Sequence, residues 1–285
     1  MLTSTFCHIP GVGRRREERI WEEGVRCWDD CLEMELSALF GNRAAAAEAH
    51  LFESQEALRQ LDAHFFGRSV PASEQWRLFP ELRSRIAYLD IETTGLGSHL
   101  SHITTAVLFD GQRIRHYVYG ENLRDLQDDI FDYDVLVTYN GKCFDIPFIE
   151  NYFLIKLPQA HIDLRFVFHG LGMRGGLKGV ERQLGLDRGE LDGVDGYFAV
   201  LLWQDYTTRR NPKALETLIA YNIQDTVNLE HLLVSAYNLK IADSPFEISH
   251  AQALPTRTPV LPFEPDMDTI GEIRRRVFGR SMPFT

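Results

Sequence analysis

Residues 88–96 read YLDIETTGL. The run begins as a buried strand does, apolar and β-branched, and then sets Asp90 and Glu92 two positions apart. Side chains two apart on a strand leave the same face, so both carboxylates project together. Like charges this close in a core are strongly unfavourable unless a cation or a shared proton offsets them. Hard divalent cations that prefer oxygen ligands are the usual solution. Two solvated acids at a strand end are the plainer alternative, and the nine residues alone leave both open.

Working outward, RIAYLDIE, HITTAVLFD and RIRHYVYG are three β-rich runs, the last two joined by the short turn DGQ as an antiparallel hairpin. A polar helical stretch over 121–131 leads to DVLVTYN, a fourth and buried strand. FDIPFIENYFLI reads as an amphipathic helix and AHIDL as a short fifth strand, with helices following over about 177–184, 195–209 and 213–238. A three-strand meander followed by strand–helix–strand predicts an α/β fold, one mixed five-stranded sheet flanked by helices. The fourth strand should lie beside the first and parallel to it, bringing the ends of both to one edge.

Two further motifs converge on that edge. VLVTYNGKCFDIPF ends a buried strand with Asn140 and Gly141 and places Asp145 near the start of the next helix. An acid there can be a simple cap on the helix dipole, yet it would also face Asp90 and Glu92. In AYNIQDTVNLEHLL, Tyr221 and Asp225 are four apart and share a helical face that continues as Val227, Leu229, Leu232 and Leu233. Four acids from three elements of one α/β domain suit two-metal phosphodiester hydrolysis, with ions ~3.5–4 Å apart. In that chemistry a tyrosine beside the last acid can orient water or phosphate.

DIET, NGKCFD and YNIQD resemble, in order, the three motifs of the DEDD exonucleases of the ribonuclease H-like fold. The longer segments WRLFPELRSRIAYLDIETTGL, YNGKCFDIPF, LKGVERQLGL and YNIQDTVNL are similar to the YprB-like ribonuclease H-like family, over roughly residues 70–240. The resemblance implies a metal-dependent 3′→5′ exonuclease on DNA or RNA, with Asp90, Glu92, Asp145 and Asp225 holding two Mg²⁺ or Mn²⁺ ions. It puts Tyr221 in the auxiliary catalytic place of the tyrosine type; the histidine type would carry His at position 220, which is Ala220. A ribonuclease H-type endonuclease acting on hybrids or structured nucleic acid, and a non-catalytic nucleic-acid-binding module, are the competing expectations.

Other segments are read for substrate contact, with a single-stranded 3′ end as the expected partner. HIPGVGRRREERIWEEGV resembles a helix-hairpin-helix unit in which Gly11 and Gly13 would let backbone N–H groups approach a phosphate. Thr93 and Thr94 end the first strand where a substrate backbone could come close. Asn140 and Lys142 in the second motif are candidate substrate contacts, as is Lys178, which follows Gly175 and Gly176 on a helix that also carries Arg182. Asp163 is expected to serve the fifth strand's end structurally.

The chain of 285 residues divides by pattern into a helical region over 1–67 with the hairpin-like start, a linker over 68–85, the ribonuclease H-like domain over 86–240, and a Pro-rich tail over 241–285 ending in a short basic helix. Net charge of −11 argues against a broad basic surface for nucleic acid but permits a local groove. Cys7, Cys27, Cys31 and Cys143 are too few and too scattered for a disulfide framework, and no ligand pair completes a zinc site, so reduced thiols are expected. The start of the chain does not read as a signal peptide and no apolar run reaches a membrane span. The expectation is a cytoplasmic protein with no membrane partner.

Overall fold

The computed structural model describes residues 1–95, 101–186, 189–191, 193–255 and 259–279; residues 256–258 and 280–285 of the expected tail lie outside them. Five strands form one sheet: β1 (Ile86–Thr93), β2 (Ile103–Phe109), β3 (Ile114–Val118), β4 (Val135–Thr138) and β5 (Ala160–Asp163). Their order is β3-β2-β1-β4-β5, with β1–β2 and β2–β3 antiparallel and β1–β4 and β4–β5 parallel. The mixed five-stranded α/β architecture is therefore the one the pattern predicts, with β4 beside β1.

In chain order the helices are α1 (Arg14–Glu22), α2 (Trp28–Glu33), α3 (Leu36–Phe40), α4 (Ala44–Arg59), α5 (Ala63–Ser69), α6 (Leu126–Asp129), α7 (Asp145–Phe153), α8 (Leu164–Gly170), α9 (Gly176–Gln183), α10 (Gly196–Arg209), α11 (Pro212–Ile241) and α12 (Met267–Phe278). Helix α11 dominates. Asn211 caps it by accepting from the Lys213 N–H at 3.1 Å, and Pro212 presets the first turn. It lies along β1 and β2, so Leu218, Ile223, Leu229 and Leu233 are buried. The opposite sheet face packs Leu89, Ile91, Ala106 and Leu108 against Leu126, Ile130 and Ile149. Both faces of β1 are covered, and Asp90 and Glu92 are half-buried toward its C-terminal end.

Within the N-terminal helical region, α4 and α5 are separate helices. Leu61 takes φ +53°, and Asp62 then caps α5 by accepting from the Phe65 N–H at 2.9 Å. The hairpin-like start has the glycine turn and the following helix of the expected unit. The Gly11 turn and α1 are present, and among the described residues a three-residue 3₁₀ turn, Leu2–Ser4, precedes them. Phe6 and Ile9 are part of the core.

The stretch expected as a linker is core. Residues Ala72–Leu78 form a 3₁₀ helix, and Trp76, Leu78, Phe79 and Leu82 are buried. Trp76 and Phe79 pack edge-on to Tyr237 of α11, while Arg77, 1% exposed, pairs with Glu17 of α1 and with Glu74, each at 2.8 Å. Glu17 also accepts the Phe6 and Cys7 N–H groups. This buried cation ties α1 to the 72–78 segment, while α5 and that segment both pack directly on β5.

Candidate metal centre

Alternation on β1 sends Asp90 and Glu92 to the face covered by α11. One turn of that helix carries Tyr221, Asn222 and Asp225, all buried. Asp90, Glu92 and Asp225 each offer an oxygen within 4.8 Å of the other two. Asp145, the first residue of α7, is 3% exposed and accepts the Ile91 N–H through Oδ1 at 3.2 Å. It stands against the trio without belonging to its tightest group.

The electrostatics show what the cluster lacks. Withdrawal from water, then the carboxylates of Asp145, Glu92 and Asp225, drive the Asp90 carboxyl well above the ordinary range. The same causes raise Glu92, through burial first and then Asp225 and Asp145, while the Lys178 ammonium pulls it the other way. Burial pushes Asp145 up to about 7. Such a set resists ionising together unless positive charge enters.

The donor set fits a divalent cation on this geometry. Hard oxygen ligands around Mg²⁺ at ~2.1 Å lie roughly 3–4 Å from one another, within the spread of the three carboxylates here. Asn222 donates through Nδ2 to Asp90 Oδ2 at 2.7 Å and accepts from the Thr105 hydroxyl at 3.1 Å. That orients one Asp90 oxygen and leaves the other for a ligand. Asn222 is not among the residues the sequence singles out. Its one signal is its position three before Asp225, on the same helical face.

Tyr221 reaches the site from the same turn: its phenol is hydrogen-bonded to Asp225, and burial, then Asp225, Glu92 and Asp90, hold it firmly protonated. Lys178, at the start of α9, lies over the Tyr221 ring at 4.8 Å. Asp163 organises the second motif, accepting from the N–H groups of Asn140 (2.8 Å), Lys142 (3.0 Å) and Arg165 (3.0 Å). Asn140 takes φ +70°, and its side-chain oxygen accepts from Arg165.

The remaining candidates are dispersed. Thr93 closes a local turn with Gly95, and Thr94 pairs with His102. The Lys142 ammonium donates to Gln75 at 3.2 Å. Gly11, φ +85°, lines a separate groove of about 620 Å³ with Arg16, Phe40, Arg43 and His50, and none of the four acids borders it. Gly13 precedes α1 as its N-cap.

A family model described as RNase_H superfamily matches residues 87–237. The uncharacterized protein YprB of Bacillus subtilis (strain 168) is 26% identical over 194 residues, covering 60% of this chain and 46% of that protein. The chain thus spans about half the length of this curated relative. Among solved structures, the family B DNA polymerase from the hyperthermophilic archaeon Pyrobaculum calidifontis matches at 17% identity with a TM-score of 0.41, over 59% of this chain and 27% of that one.

Proposed function

The chain belongs to the RNase H superfamily, and from that premise we propose that it is a metal-dependent nuclease acting as a 3′→5′ exonuclease on DNA or RNA. The observation that carries the reading is the convergence of Asp90, Glu92 and Asp225 within 4.8 Å, with a mutual repulsion that the Lys178 ammonium offsets only in part. In this reading these three hold a divalent ion and Asp145 helps hold a second, with Mg²⁺ or Mn²⁺ as the metal.

Ions held by these carboxylates would supply charge neutralisation at the scissile phosphate, activation of the attacking water and stabilisation of the leaving 3′ oxygen. The chain's own residues supply position. Asn222 fixes the Asp90 carboxylate. Tyr221, kept protonated, offers an O–H beside Asp225 to hold water or a phosphate oxygen in line. Lys178 adds positive charge beside Tyr221 and Glu92, where it would favour a phosphate. Thr93, Thr94 and Asn140 edge the approach as substrate contacts. Lys142, Gly11 and Gly13 belong to this proposal only as more distant contacts along the strand. A cytoplasmic location is part of the same proposal.

End-labelled strands with Mg²⁺ or Mn²⁺ test it. Stepwise shortening of a linear strand, arrest by a 3′ block and survival of a circular strand are the expected results. Linearised circles would replace the exonuclease reading with a ribonuclease H-type endonuclease. Inertness of the protein on single-stranded, duplex and hybrid substrates with either metal would overturn the nuclease reading itself.

A further inference from the structure

His102 directly precedes β2 and Tyr119 directly follows β3. β1 and β2 pair in step from Tyr88↔Phe109 to Glu92↔Thr105, and then Thr93 meets Ile103, so β2 carries one extra residue. Such a bulge inverts the order of faces beyond it. Thr105 accordingly reaches Asn222 on the α11 side, while Ile103 joins the core on the opposite face. His102 is thereby turned back to the acid-bearing face, where its ring meets Trp203 of α10 at a centroid distance of 6.2 Å. Its backbone is locked to Thr94, two residues past Glu92: the Thr94 N–H donates to the His102 carbonyl, and the His102 N–H to the Thr94 hydroxyl, each at 3.1 Å.

Tyr119 is fixed by its own N–H on the Thr104 carbonyl at 2.9 Å. Its ring lies on that of His102 with centroids 4.1 Å apart and planes tilted by 34°. Trp203 braces the pair edge-on, 6.3 Å from Tyr119, and Tyr206 continues the row 5.4 Å from Trp203. A pair serving only the core would bury both rings, yet Tyr119 is 42% exposed. A backed aromatic face is therefore presented to solvent next to the strand end that carries the acids.

The charge of the protein makes such a face useful. With a net charge of −11, a polyanionic strand gains little from long-range attraction. Affinity has to come from contacts that ignore charge, and every nucleobase has a π-face to stack. We propose that His102 and Tyr119, braced by Trp203, form a stacking platform for an unpaired nucleobase of the strand at the metal site, so that the site selects single-stranded nucleic acid. The proposal rests on the nuclease reading above for its substrate. A base inside a duplex has both faces covered and cannot use the platform without unpairing.

The test measures binding in EDTA, where no hydrolysis occurs, by the anisotropy of a short 5′-labelled DNA oligonucleotide. One abasic nucleotide is walked through the strand, and wild type is compared with Tyr119→Ala and Tyr119→Phe. Stacking on an aromatic side chain predicts about a tenfold loss of affinity for Tyr119→Ala, with Tyr119→Phe within about twofold of wild type. At one position the abasic substitution should weaken wild type and Tyr119→Phe by about the same tenfold and leave Tyr119→Ala unchanged. Equal abasic losses in all three proteins at every position would overturn the platform, as would unaltered binding by a Tyr119→Ala protein whose thermal unfolding matches wild type. Coupling without any metal-dependent hydrolysis would uphold the platform and reject the nuclease reading, so the two fail separately.

Discussion

Replacing Asp145 with asparagine should stabilise the metal-free protein at alkaline pH, against the usual result of altering a buried, hydrogen-bonded group. Burial raises its carboxyl from 3.8 to about 7, so the folded state resists an ionisation that the unfolded chain completes readily. The sign follows from proton counts. Between those two values the folded protein holds more protons than the unfolded one, so stability falls as pH rises through the window and the penalty persists above it. At pH 8 the penalty is about 4 kcal/mol. The introduced amide keeps an oxygen for the Ile91 N–H but brings a buried NH₂ that costs about 1–3 kcal/mol if unpaired. The net expectation is a gain of roughly 2 kcal/mol at pH 8 in EDTA, vanishing or reversing at pH 4 where the native carboxyl is protonated. Urea unfolding of both proteins at the two pH values reads this directly. Added Mg²⁺ should close the gap by stabilising wild type more than the variant. A variant that is less stable than wild type by the same amount at both pH values would refute the view of the cluster as an uncompensated charge.

Three other outcomes are expected. Tyr221→Phe removes the phenol beside Asp225 while keeping the ring under Lys178; metal affinity measured by calorimetry should hold within about twofold while hydrolysis falls on the order of tenfold to a hundredfold. Burial first, then His50 and Arg77, lowers His8 to about 3 from 6.5. This group therefore contributes stability above pH 6.5 that is lost as pH falls toward 3, about 2–3 kcal/mol by pH 4.5, and His8→Gln should flatten the acid limb of the urea midpoint against pH. Arg77→Met strands the Glu17 carboxylate, which is 0% exposed. A loss of about 3–5 kcal/mol in equilibrium unfolding is expected, with Glu17→Gln in the same background recovering part of it.

The strand carrying Asp90 and Glu92 was legible because period-two alternation is a local property, and its neighbours followed from the meander and the strand–helix–strand order. The long helix around Tyr221 and Asp225 announced itself by length and apolar spacing. Asn222 was harder to see, because a buried amide makes sense only once the Thr105 and Asp90 partners from other elements are in place. The segment around Trp76 carries no 3.6-residue period, since it is a 3₁₀ helix flanked by Pro71 and Pro80, and its burial depends on a distant ion pair from Arg77 to Glu17. Helix α8 is only seven residues long and continues directly from β5 through the Asp163 cap. The one-residue irregularity opposite Glu92 and Thr93 is a matter of pairing between strands, and neither strand displays it alone.

The proposed nuclease activity requires Asp90, Glu92 and Asp225 to hold a divalent cation. The most direct measurement is the rate of nucleotide release from a labelled linear single strand in Mn²⁺, in Mg²⁺ and in EDTA, for wild type and for Asp225→Asn. Hydrolysis should require the metal and drop by about a hundredfold or more in the variant, with the variant's fold intact by circular dichroism. Hydrolysis that persists in EDTA, or that proceeds equally in Asp225→Asn, would contradict that requirement.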